Sequence, residues 1–141
     1  MLQQWHEFLM KQGAHISDST SVHFGDLKQE LAALSTQNCM MDLSSFGLLS
    51  ISGPDAKSFL QGQITCNIDE LNQKKSLLGA HCNLTGRMQS LFSIAVHPDN
   101  QNYSHFLLCI PTSMLTITQN NFKKFAIFSK VEIKVADDMV G

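Results

Sequence analysis

The chain carries one arginine, Arg87, and its adjacent lysines come only in pairs, Lys74-Lys75 and Lys123-Lys124. Neutralising a run of phosphates takes clustered basic side chains, so tight, direct nucleic-acid binding is disfavoured, in keeping with a formal net charge of −2. No apolar run approaches the roughly 20 residues that span a bilayer, so no membrane partner is expected. The N-terminal region has neither the apolar core of a signal peptide nor an arginine, which disfavours secretion and mitochondrial import and leads to an expectation of a cytoplasmic protein.

The four cysteines, Cys39, Cys66, Cys82 and Cys109, form no C-x-x-C pair, so a disulfide framework or a zinc knuckle has little support and reduced thiols are expected. Phosphate loops are missing too. Neither G-x-x-x-x-G-K-[ST] nor G-x-G-x-x-G occurs, and Asp55 would repel a phosphate at the helix start that follows Gly53, which rejects nucleotide binding.

What is present is the composition of a globular protein, 43% hydrophobic and 16% charged over 141 residues, enough for one workable core. Leu2, Trp5, His6 and Leu9 share one face of a short amphipathic helix that Gly13 can end. An extended piece around Val22 to Phe24 turns at Gly25-Asp26 into a helical run with Leu27, Leu31 and Leu34. From Asn38 the texture changes, and two apolar runs predict strands near 38–43 and 46–52. Pro54 and Asp55 open a short helix that Gly62 stops. Three extended runs, "SLLGAHCNL", "RMQSLFSIAVH" and "SHFLLCI", joined by "TG" and "PDNQN" turns, read as an antiparallel meander. A helix with Leu115, Phe122, Phe125 and Ala126 on one face follows, and "KVEIKVA" closes as a strand. The order β-β-α-β-β-β-α-β gives an α+β fold, an antiparallel sheet with helices packed on one face. The domain division expected is 1–37, a helical and extended segment, then 38–141.

In "GAHCNLTGRMQS", His81 and Cys82 look reactive. Neighbours on a strand point to opposite faces, so one faces the core and the two form neither a metal site nor a nucleophile–base pair. Cys82 is read as a packing residue and His81 as a hydrogen-bonded structural one. His97 and His105 can approach across a hairpin, but two ligands do not make a metal site. Gly86 supplies the positive φ of the turn, and Arg87 projects from it with the side chain best shaped to fork a carboxylate. Gln61, Gln63 and Thr65 form a polar cluster whose amides can bind the edge of a heteroaromatic ring or simply cap the helix.

Three segments in order, "GLLSISGPDAKSFLQGQITCNI", "GAHCNLTGRMQSLF" and "KKFAIFSKVEI", resemble the N-terminal part of the YgfZ-type folate-binding proteins, within the larger group built on the glycine-cleavage T-protein fold. The resemblance implies the first half of a duplicated folate-binding domain, so this chain is expected to contribute one side of a folate cleft. It implies tetrahydrofolate as bound ligand and a role in supporting iron–sulfur enzymes, and through them tRNA modification. Iron–sulfur proteins or their assembly factors are the implied partners. No metal is implied in this chain, and the family's later "KGCYxGQ"-like motif does not occur in it.

The ligand-facing residues carried over are Phe46, Gln63, Thr65, Asn83 and Arg87. Phe46 stands where relatives often place a Trp against the folate, and Asn83 where they often have an Asp. Ser90 and Leu91 occupy the acidic positions of the T-protein's "GG.IDD" stretch, which disfavours aminomethyl transfer for want of a carboxylate. A T-protein-type aminomethyltransferase and a non-catalytic protein-interaction module are the alternative readings.

Overall fold

The computed structural model describes residues 2–17, 21–98 and 104–136. The chain divides into two compact units that part between Ser45 and Phe46, where composition alone suggests a single core.

In the first unit, α1 (Leu2–Lys11) is followed by a two-stranded hairpin, β1 (His15–Ser17) and β2 (Ser21–His23), and by α2 (Leu27–Thr36). Trp5 and Phe8 stack with ring centroids 5.5 Å apart. The indole N–H of Trp5 donates to Asp42 Oδ1 at 2.7 Å, and Ser44 Oγ donates to the same oxygen at 2.7 Å. Burial pushes the Asp42 carboxyl up, but these two bonds and nearby His6 outweigh it and hold the group below its ordinary value. Asp26 caps α2 by accepting from Lys28 N and Gln29 N. This helix buries no residue. Leu27, Leu31 and Leu34 instead line an open groove of about 480 Å³ with Phe24, Met40 and Met41.

The second unit is built on a five-stranded antiparallel sheet in the order β4-β5-β6-β3-β7. Its strands are β3 (Phe46–Ser52), β4 (Leu77–Cys82), β5 (Met88–Val96), β6 (His105–Pro111) and β7 (Glu132–Val135). The helices are α3 (Ala56–Gln61) and α4 (Thr112–Phe125), with one 3₁₀ turn at Ile68–Glu70. Burial alternates residue by residue along β3, β5 and β6, the period-2 signature of a sheet with one covered face. Leu49, Ile51, Phe92, Ile94, Phe106, Leu108, Ile110 and Ile133 point to that face. There they pack with Ala56, Phe59 and Leu60 of α3 and with Leu115 and Phe122 of α4.

The α+β fold with an antiparallel sheet and a β4-β5-β6 meander agrees with the sequence reading. The strand predicted at 38–43 does not form. Residues 38–43 carry no strand and group with the first unit. The physical reason lies in the sheet, because β3 is paired on one edge by β6 and on the other by β7, leaving no edge for a preceding strand. β1 was not foreseen. The predicted "PDNQN" turn falls largely outside the described residues.

The "SGPDA" run does more than start α3. Gly53 sits at φ 131°, and a Cβ there would run into the Lys130 carbonyl oxygen, so only glycine allows this approach. Asp55 makes no side-chain bond to its own helix. Its Oδ2 instead accepts from Lys130 N at 2.7 Å, fixing the entry to β7. Among the described residues, no helix is long and apolar enough to cross a membrane.

Candidate functional site

His81 and Cys82 settle first. A register shift falls between them, a bulge that takes the strand into its turn. His81 is the core-facing member at 3% exposure, and Cys82 is only half-buried, so Cys82 is not the packing residue expected. His81 is not held by hydrogen bonds as expected either. Its Nδ1 is buried without a partner, and its ring packs edge-on against Phe122 at 4.9 Å and Phe125 at 6.2 Å. Burial pushes its pKa down, which favours a neutral ring. Ser90, its cross-strand partner, also has a buried hydroxyl without a partner.

The four cysteines are free thiols. Burial pushes the Cys66 and Cys109 thiols up, which makes both poor nucleophiles. His97 and His105 do meet, with ring centroids 4.1 Å apart and planes 5° from parallel. Two stacked imidazoles aim their nitrogens side by side and not at a shared point. Among the described residues no group of three or more His, Cys, Asp or Glu could hold a metal ion.

The sheet face away from α3 and α4 is of a different kind. Its central strands, β5, β6 and β3, contain no Asp, Glu, Lys or Arg along their whole lengths, whereas a solvated sheet face is ordinarily polar. At one end of this face runs a row made by residues from four strands. Phe46 pairs with Pro111, and Ala80 pairs with Leu91. Leu91 and Pro111 each lie two residues beyond the Ser93–Cys109 pair. Phe46 is 38% exposed and Leu91 48%. Three strand spacings separate Phe46 from Ala80, roughly 14 Å.

The β4–β5 turn closes the same end of the sheet. Asn83 Oδ1 accepts from Thr85 N at 3.0 Å, Thr85 Oγ1 at 2.8 Å and Arg87 N at 2.9 Å. Gly86, at φ 78°, returns its N–H to the Asn83 carbonyl. The Asn83 carbonyl oxygen is therefore fully engaged within the turn, and its –NH₂ is the group left to donate. Arg87 is exposed, and among the described residues it makes no ion pair within the 4.0 Å limit. Thr65 is tied to the neighbouring strand edge, its N–H donating to Ala80 O at 2.9 Å while its Oγ1 accepts from Ala80 N at 3.0 Å. Gln63, half-buried, lies two residues before it.

The five residues predicted from the sequence thus fall into two pairs and one residue apart from them. Asn83 and Arg87 meet in one turn, while Thr65 and Gln63 flank β4 and Phe46 stands across the sheet from both. Neither the groove along α2 nor the groove between α4 and β7 contains any of the five. Leu91 and Pro111, which complete the row, were not singled out as ligand-facing, although alternation along "MQSLFSIAV" and "HFLLCIP" carries that signal.

No family model matches the chain. In sequence it is similar to the protein called tRNA-modifying protein YgfZ in several organisms. The Photobacterium profundum protein is 34% identical over 125 residues, covering 85% of this chain and 36% of the relative. The Vibrio atlanticus protein is 38% identical over 101 residues, covering 72% and 30%, and that of Colwellia psychrerythraea 35% identical over 100 residues, covering 71% and 29%. The chain spans about a third of the length of these relatives. In structure it is similar to the glycine cleavage system aminomethyltransferase T from Bartonella henselae, with a TM-score of 0.73 over 93% of this chain and 37% of that one. At 16% identity this likeness speaks for the fold alone.

Proposed function

The chain is YgfZ-like in sequence and T-protein-like in fold, and from that premise we propose that it is a tetrahydrofolate-binding accessory protein. In this reading it works in the cytoplasm, supports iron–sulfur enzymes through contact with them or with their assembly factors, and through them supports tRNA modification. The observation that carries the reading is the uncharged sheet face framed by Phe46 at one side and the Asn83–Arg87 turn at the other.

The residues present fit such a ligand. Phe46 offers an exposed ring for stacking on a flat heteroaromatic group. Arg87 is an exposed guanidinium suited to the carboxylates of a glutamate tail. The –NH₂ of Asn83 can donate to a ring or amide carbonyl, and in this reading the Gln63 amide meets the ring edge. Thr65 contributes by position, since its backbone N–H and its hydroxyl oxygen already serve Ala80. Bound there, tetrahydrofolate would supply one-carbon chemistry at its ring nitrogens.

Aminomethyl transfer is not part of the proposal. Position 91 faces the uncharged surface and position 90 the core, so an acid able to reach a ligand on that surface would stand at 91, where this chain has leucine. Without it a developing charge has no carboxylate to stabilise it.

Calorimetric titration with tetrahydrofolate, of this chain and of the full-length Photobacterium relative, tests the proposal. Saturable heat is expected with both. No heat from the relative overturns the folate reading, and heat from the relative alone assigns the remaining contacts to the rest of the fold.

A further inference from the structure

The two edges of the five-stranded sheet differ. Along β4, Ala80 exchanges bonds with Thr65, and Ile64 bridges to His81. At β7, Ala136 N–H points inward to Leu48 O. By alternation Lys134 and Glu132 also turn their backbone groups toward β3, and Ile133 and Val135 turn theirs outward. Among the described residues two bonds are made to this outer edge: Gln119 Nε2 donates to Ile133 O at 3.0 Å, and the Val131 N–H donates to Ser129 O at 2.9 Å within its own turn. A groove of about 520 Å³ runs beside the edge, lined by Gln119 and Lys123 of α4 and by Val131, Ile133 and Val135.

Edge strands are commonly blunted by charge, and like charges placed opposite each other repel. The β7 edge carries its charges in the order Val131-Glu132-Ile133-Lys134-Val135, which is complementary to itself. When two copies run antiparallel about a two-fold axis at Ile133, Glu132 of each stands opposite Lys134 of the other, and Val131 stands opposite Val135. The same register sets outward-turned residues against outward-turned residues, so Ile133 exchanges both backbone bonds with its copy. The Glu132–Lys134 pairs then take the non-hydrogen-bonded positions, where side chains lie closest. Glu132 and Lys134 already pair within one chain at 2.7 Å, and both are exposed, so each can exchange that partner for its counterpart in the second copy.

We propose that β7 is a homodimer edge: two copies of this chain join along Val131–Val135 into one continuous sheet, with register set by reciprocal Glu132–Lys134 pairs. Val131 and Val135, half-buried in one copy, cover each other in the pair. Gln119 is the latch, because its amide must leave the Ile133 carbonyl for the strands to join.

Sedimentation velocity of the 141-residue chain over a concentration series tests this. Wild type forms a dimer that weakens as salt rises. E132K and K134E, each of which sets like charges opposite each other, weaken self-association by roughly tenfold or more, and an equimolar mixture of the two restores a dimer. Q119A, which frees the Ile133 carbonyl, strengthens it. Should a charge reversal disturb folding, the E132Q/K134Q double variant keeps the test intact, dimerising without the salt dependence. Wild type that stays monomeric throughout overturns the proposal. So do single variants that associate as wild type does, a result that would move the contact to another surface such as the leucine stripe of α2, or a mixture that fails to pair.

Discussion

The carboxylate of Asp55 holds the backbone N–H of Lys130 at 2.7 Å across 75 residues of sequence. A motif that reads as a helix start is therefore a clamp on the entry to the last strand, and Gly53 two residues earlier is what lets the two backbones meet.

Asp55→Ala removes the acceptor and leaves the Lys130 N–H to water. The loss expected is about 1–2 kcal/mol, within the range for a charge-assisted bond at a partly solvated site. Urea unfolding should show a lower midpoint with an unchanged slope. Asp55→Asn, which keeps a carbonyl acceptor, should recover part of the difference. Gly53→Ala should cost more, about 2–3 kcal/mol, because a Cβ adds collision to an unfavourable φ.

Phe122 is fully buried at the centre of the aromatic cluster, meeting His81, Phe59 and Phe92. Phe122→Ala should cost about 3–5 kcal/mol through lost transfer energy and the cavity left behind. A domain of this size has roughly 5–15 kcal/mol in total, so the variant should melt well below wild type by circular dichroism. Little change in melting would place Phe122 outside the cooperative core.

His81 links stability to acidity. Burial lowers its pKa in the folded chain, so below about pH 6.5 the unfolded chain takes up a proton that the folded chain does not. Stability should fall as pH drops from about 6.5 towards the folded pKa, and level off below it. Replacing the ring with a slightly larger apolar one that cannot titrate, His81→Phe, should remove that slope. Urea midpoints measured at intervals between pH 7.5 and 5 check this. Equal slopes for the two proteins would mean that His81 carries no such linkage.

Arg87 should matter for ligand and not for fold. Its side chain makes no ion pair among the described residues, so Arg87→Ala should leave the unfolding midpoint within about 0.5 kcal/mol. Under the folate reading the same change should weaken tetrahydrofolate binding by roughly tenfold, the worth of about 1.4 kcal/mol. Arg87→Lys should recover only part, since an ammonium cannot fork a carboxylate. Unchanged affinity in Arg87→Ala would take this residue out of the site.

Much of the second unit was legible because period-2 alternation is strong in "FGLLSIS", "MQSLFSIAV" and "HFLLCIP", and because Leu115 and Phe122 repeat at helical spacing. The run at 38–43 misled. Cys39, Met40, Met41 and Leu43 are apolar but exposed, since both edges of β3 are taken by strands that come much later in the chain. The bulge after His81 was invisible for a similar reason, being a property of two paired strands and not of either alone. Asn83 and Gly86 announced a turn, yet it is the folded turn that consumes the side-chain oxygen of Asn83. Phe46 could be named from the family resemblance. Its place across the sheet from the Asn83–Arg87 turn could not, because strand order in a sheet is set by pairings between residues far apart in sequence.

That strand order has a consequence for how the chain comes into being. β3 leaves the ribosome before either of its neighbours, and it stays without both until His105–Pro111 and then Glu132–Val135 have been made. Its apolar, uncharged seven-residue segment keeps two bare edges while residues 53 to 104 are made, the state in which strands recruit wrong partners. Such long-range closure makes for slow folding. The vulnerable interval for this protein is therefore its own translation, and a chaperone that shields Phe46–Ser52 until β7 emerges would act at the point where yield is decided.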